Sequence, residues 1–139
     1  MDRSERLTIT EQDAGQSLVR QLAKFYRLKV AFWFKYADEE RWHLNVTFET
    51  MTRDEFDRAF DRVRQILKGM GNVELDPFDM TFLEVQEPLV QWAIQLSDDN
   101  LTTSSHWRLP MHQGASVEGI FVYPKRDLIG NDLVAAELN

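Results

Sequence analysis

The sequence predicts an α+β fold: an antiparallel sheet, flat or curved, with two main helices packed on one face. Three observations point there. Between Leu28 and Phe48, apolar residues recur at every second position in two runs joined by a hairpin-length connection. Residues 52 to 70 read as an amphipathic helix with a clear start signal. Beyond Asp76 the apolar residues alternate again, so the elements run α-β-β-α-β-β-β-β through short connections.

The first helix starts at Thr10, whose hydroxyl caps free amides while Asp13 completes a capping-box-like pair; a start at Thr8, paired with Glu11, is the alternative. Ala14, Leu18, Leu22 and Phe25 then form one apolar stripe. Gly15 weakens the first turns by about 1 kcal/mol relative to alanine.

In the strand pair, Leu28, Val30, Phe32, Phe34 and Tyr36 alternate with Lys29, Ala31, Trp33 and Lys35. Trp42, Leu44, Val46 and Phe48 alternate with Arg41, His43, Asn45, Thr47 and Glu49. If both even-numbered sets face one core, a one-residue slip puts one set in water. The expected register therefore sets Phe34 beside Leu44, Phe32 beside Val46 and Lys29 beside Glu49, the last an opposite-charge pair worth a few tenths of a kcal/mol. It leaves Trp33 beside Asn45 and Lys35 beside His43 on an open face.

Helix two opens with Thr52 and Glu55 as a capping box and Met51 and Phe56 as a hydrophobic staple. Phe56, Phe60, Val63, Leu67 and Met70 make its buried stripe, and Gly69 or Gly71 supplies the left-handed stop. Asp76-Pro77 breaks the chain, and Thr81 to Val85 is a strand candidate. Val90, Trp92, Ile94 and Leu96 fit period two better than 3.6, although Pro88 could open a helix. With Asp99-Asn100 as a two-residue turn, Trp92 faces Trp107 and Val90 faces Leu109, while Gln91, Gln95, His106 and Arg108 share the other face. Val117 to Tyr123 is the last strand, ended by Pro124, and the tail from Asn131 suits a short amphipathic turn or helix. The expectation is one domain over 1–139, with 1–7 and 125–139 peripheral.

Composition narrows the function. With no cysteine there is no disulfide framework, thiolate nucleophile or Cys-type zinc site. The N-terminus is charged and leads into no apolar core, and the longest apolar run, Val30 to Phe34, is far short of the roughly 18 residues a membrane span needs. The expected setting is cytoplasmic, without membrane attachment. The formal net charge of −7 argues against a general nucleic-acid binder. A sheet face bearing Trp33, Lys35 and Arg41 could stack single-stranded RNA, but Glu49 lies on that same face.

No motif commits the chain to chemistry. Ser104 and His106 share a strand face without an identified acid. His43, His106 and His112 have no metal-ligand spacing, while Asp76, Asp79, Glu84 and Glu87 offer only scattered oxygen ligands. The six glycines form neither a dinucleotide fingerprint nor a P-loop. The reading assigns no catalytic residue, metal or cofactor.

Two features remain. Trp33 points away from the helices in the expected register, where it could anchor an interface. The charge is also segregated: residues 1–70 carry thirteen basic and twelve acidic side chains, whereas residues 71–100 carry seven acidic and no basic ones. The expected function is accordingly a non-enzymatic protein-interaction module, an adaptor, chaperone, inhibitor or immunity-type protein, and a homodimer. Glu74, Asp76, Asp79, Glu84 and Trp33 would meet a partner protein with a basic surface. The alternative is a small-molecule-binding or catalytic pocket protein, with a curved sheet around a cavity lined by Gln91, Gln95, His106 and Arg108.

Overall fold

The computed structural model describes residues 7–71, 75–99, 105–107, 111–112 and 114–129, giving for 99, 105–107 and 111–112 the backbone path only. The elements are α1 (Ile9–Leu22), β1 (Leu28–Tyr36), β2 (His43–Phe48), α2 (Phe56–Met70), β3 (Met80–Phe82), α3 (Pro88–Asp99), β4 (Ser105–Trp107), β5 (Met111–His112) and β6 (Ala115–Val122). The class is α+β, with a mixed sheet: strands run in the order β3-β2-β1-β6-β4, β5 pairs with β6, and β3 lies parallel to β2. The other pairings are antiparallel.

Thr8, rather than Thr10, caps α1. Its Oγ1 accepts from Glu11 N–H at 3.1 Å, and Glu11 Oε1 accepts from Thr8 N–H at 3.1 Å, so two orphan amides are satisfied reciprocally. The helix ends at Leu22, which leaves Phe25 beyond it, exposed beneath the Arg62 guanidinium at 4.3 Å. Helix α2 follows a 3-10 turn, Arg53–Glu55, in which Glu55 Oε1 accepts from the Thr52 hydroxyl. Its Ala59, Val63 and Leu67 are buried, and Phe56, Phe60 and Met70 pack against the same core. Gly71, at φ 76, makes the stop.

The β1–β2 register differs from expectation by one residue. Ala31 pairs with Val46, Phe32 with Asn45, Trp33 with Leu44 and Phe34 with His43, after an irregularity between Leu28 and Val30. The even-numbered residues of the two strands therefore occupy opposite faces. Leu28, Ala31, Trp33, Leu44, Val46 and Phe48 join α1 and α2 in one core. Val30, Phe32 and Phe34 join Ile120 and Val122 in a second core on the other face. The premise that failed was a single covered face: β1 is apolar at Ala31 and Trp33 as well, and reads as a central strand buried on both sides.

The second cover is α3. Residues 88–99 form a helix instead of a strand, so the expected Trp92–Trp107 hairpin does not form. Val90, Ala93 and Leu96 face the second core, with Trp92 and Ile94 half-buried beside it. A short apolar run fits either period, and Pro88 sits at the first helical position, where its missing N–H costs nothing. Energetics favour this arrangement. Covering a tryptophan removes some 200 Å² from water, on the order of 5 kcal/mol as an upper figure, against a few tenths for the Lys29–Glu49 pair of the other register.

Trp33 is 1% exposed, which corrects its expected place on an open face. Its Nε1–H donates to Tyr123 Oη at 2.8 Å, and that hydroxyl donates to the Gln12 carbonyl at 2.6 Å, tying sheet to helix. Burial pushes the Tyr123 hydroxyl well above its ordinary pKa, so it remains a donor. The turn Lys125–Leu128, in the segment expected to be peripheral, docks on α1: buried Asp127 accepts from Arg20 Nε at 2.8 Å and Gln16 Nε2 at 3.1 Å. No helix among the described residues is long and apolar enough to cross a membrane.

Helix α1 approaches this hydrogen-bond chain at Gly15. A Cβ there would fall inside the contact distance of Tyr123 Oη and 2.9 Å from Trp33 Nε1. Gly15→Ala should therefore lower the urea unfolding free energy by about 2 kcal/mol, against alanine's helix preference of about 1 kcal/mol. Gly69→Ala, with nothing within 4 Å, should be neutral or stabilising. Equal effects at the two positions would contradict the close approach.

Candidate functional site

The register that divides the two cores also assembles a cleft. On the α3 side of the sheet, Phe34 and Tyr36 of β1 lie beside His43 and Asn45 of β2, because Phe34 pairs with His43. The parallel pairing of β2 with β3 then places Thr81 next to Asn45. Leu83, Glu87, Pro88 and Leu89 close the far wall where the chain enters α3. The cleft has a volume of about 300 Å³, at the small end of the range for ligand sites.

Its polar groups are held from behind. Glu39, in the β1–β2 connection, accepts the Tyr36 N–H through Oε1 at 3.0 Å and meets His43 Nε2 through Oε2 at 2.9 Å. The Glu39 carboxylate accepts a hydrogen bond from Nε2 and so fixes the orientation of the ring. Asn45 is only 6% exposed, and its Nδ2–H donates to the His43 carbonyl at 3.1 Å. A carbonyl can only accept, so the amide orientation is fixed and Oδ1 remains over. Among the described residues Asn45 Oδ1 has no donor and the half-buried Glu87 carboxylate has no partner. Phe34 and Tyr36 meet edge to face at 4.8 Å on the floor. Apart from the Tyr36 phenol, every ionisable side chain among the described lining residues is a carboxylate or the histidine; none is Lys or Arg.

The residues singled out from sequence lie elsewhere. Asp76 accepts the Phe78 N–H at 2.9 Å, Asp79 pairs with Arg41 at 2.9 Å, and Glu84 pairs with Arg53 at 2.9 Å while accepting from Gln86. Gln91 is exposed and donates to the Val85 carbonyl, and Gln95 is exposed on α3. Neither reaches the cleft. His106 sits in β4 opposite Phe121. Glu74, Arg108 and the side chain of His106 lie outside the described residues, as do Leu109 and the tail from Asn131. The cleft residues Tyr36, Glu39, Asn45 and Thr81 were not anticipated; the spacing of four between Glu39 and His43 across a tight connection was the available signal. No group of three or more potential ligands among the described residues could hold a metal ion.

One aromatic stands out of the surface. Phe78 is 89% exposed at the tip of a 3-10 turn, Pro77–Asp79, fixed by the Asp76 cap and by Pro77. No protein-family model matches the chain, and neither a curated protein nor a solved structure shows a significant match.

Burial raises the Asp79 carboxyl above its ordinary pKa, more than the Arg41 guanidinium lowers it, with the Asp76 charge adding to the rise. The folded chain thus keeps this proton at a pH where the unfolded chain has released it. Asp79 subtracts stability as pH rises through the window just above its ordinary value of 3.8. The Asp79 carboxyl carbon, followed by NMR, should titrate above that value, and Arg41→Gln should move the midpoint higher still. A midpoint at or below the ordinary value would contradict this assignment.

Proposed function

We propose that this protein binds a small molecule in the cleft between β1, β2, β3 and the start of α3. The observation that carries this reading is the leftover hydrogen-bonding capacity at its wall: a largely buried Asn45 amide with its oxygen unclaimed, beside an unpartnered Glu87 carboxylate. A ligand that donates to the Asn45 oxygen and the Glu87 carboxylate gains hydrogen bonds without displacing a contact of the fold, each worth about 0.5–1.5 kcal/mol net. The histidine and carboxylate are positioned to orient such a ligand, and a general acid or base role for His43 would use the same Glu39 contact.

Amide chemical shifts recorded against a panel of small polar metabolites should move together at Tyr36, His43, Asn45, Thr81 and Leu89. Thr81→Phe, which fills the cleft, should abolish those shifts while the remaining spectrum stays folded. Shifts scattered over the surface, or persisting in the filled variant, would count against the cleft.

A second reading keeps the protein-interaction module with a basic partner, now centred on Phe78 instead of Trp33. A rigidly presented, exposed aromatic flanked by Asp76 and Asp79 has the form of an interface anchor with a charged rim. Trp33, buried under α1 and α2, is not available as the anchor of a homodimer or RNA contact. Phe78→Ser should leave stability within about 0.5 kcal/mol. In affinity capture from a cytoplasmic extract, it should lose whatever the wild type retains at low salt and releases at high salt. Identical capture by both proteins would remove this reading.

A further inference from the structure

We propose that the ligand of the cleft is a small organic ammonium ion, recognised by Glu87, Asn45 Oδ1 and the Phe34–Tyr36 rings. The inference rests on the ligand-binding reading of the cleft and adds the chemical class. The Thr81 hydroxyl can donate or accept, and the other two polar groups left over at the wall accept hydrogen bonds. Glu87 is an unpartnered carboxylate, and Asn45 has spent its donor on the His43 carbonyl. A ligand that satisfies them must be rich in donors. The Phe34 and Tyr36 rings in the lining add π-systems, which favour a cation placed over a ring face. Among the described lining residues no Lys or Arg competes for the carboxylate.

An anion is the natural competitor, because the N-terminus of α3 opens on the same cleft. A helix N-terminus carries roughly half a positive charge. Here its first residue is Pro88, which offers no N–H, and Glu87 immediately before it carries a full negative charge. The carboxylate outweighs the dipole, so the entrance favours a cation. The volume of about 300 Å³ suits a single small ring or a short alkyl chain bearing the ammonium group.

The test titrates the protein with phenethylammonium, with neutral phenethyl alcohol and with anionic 3-phenylpropanoate, following the amides of Asn45, Thr81 and Leu89. The ammonium should bind roughly tenfold more tightly than the alcohol, and the carboxylate should not bind. Glu87→Gln, at a side chain with no partner in the fold, should bring ammonium and alcohol affinities within about twofold while leaving the melting temperature unchanged. If the alcohol or the carboxylate binds at the cleft as tightly as the ammonium, the cation preference is overturned and the ligand site stands. If none of the three perturbs the cleft at about 10 mM, the preference and the ligand-binding reading both fall.

Discussion

The β1–β2 register is the constraint on which the rest depends. In a pleated sheet one residue of slip exchanges the two faces of a strand. With Trp33 opposite Leu44, the odd-numbered residues of β1 and the even-numbered residues of β2 share the face covered by α1 and α2. Phe34 then falls opposite His43, on the face that α3 partly covers. The buried tryptophan, the need for a second helical layer and the polar cleft at its margin are three consequences of one offset. Had Phe34 lain opposite Leu44, His43 and Asn45 would have faced away from Phe34 and Tyr36, and no site could have formed from these residues.

The charge takes on a different meaning in three dimensions. Residues 71–100 supply the whole acidic excess of the sequence, yet three of the five described acidic side chains there are matched from outside the segment. Asp79 meets Arg41, Glu84 meets Arg53 and Asp98 meets Lys125. Exposed pairs of this kind add little stability. They do neutralise the segment locally, so segregation along the chain does not become an unbroken acidic surface. Asp76 and Glu87 escape that matching, and Glu87 stands out as a candidate ligand contact because it lines the cleft without a partner.

What could be read in the sequence was what local chemistry determines. The α2 boundaries follow from a capping pair at Thr52 and Glu55 and a left-handed stop at Gly71, features separated by a few residues. Both candidate starts of α1 were visible, and the glutamate at the third position selected Thr8. The two long strands were plain from their alternation. Their register was not, because Ala31 and Trp33 make β1 apolar on both faces, and alternation alone then says nothing about which set meets which. The same gap hid α3: twelve residues with a twofold apolar pattern satisfy a strand or a helix, and only an uncovered sheet face decides between them. The cleft inherits both uncertainties, since its walls come from β1, β2, β3 and α3 and converge only through long-range pairing. Gln91 and Gln95 belonged to a hairpin that does not form, whereas Glu39 and His43 lay in a segment whose local structure was already legible.

Cross-strand backbone NOEs between β1 and β2 in solution test the central claim most directly. The structure predicts contacts joining Phe32 with Asn45 and Phe34 with His43, the pairing that buries Trp33 and builds the cleft. Contacts joining Phe32 with Val46 and Phe34 with Leu44 would contradict it, and the site with it.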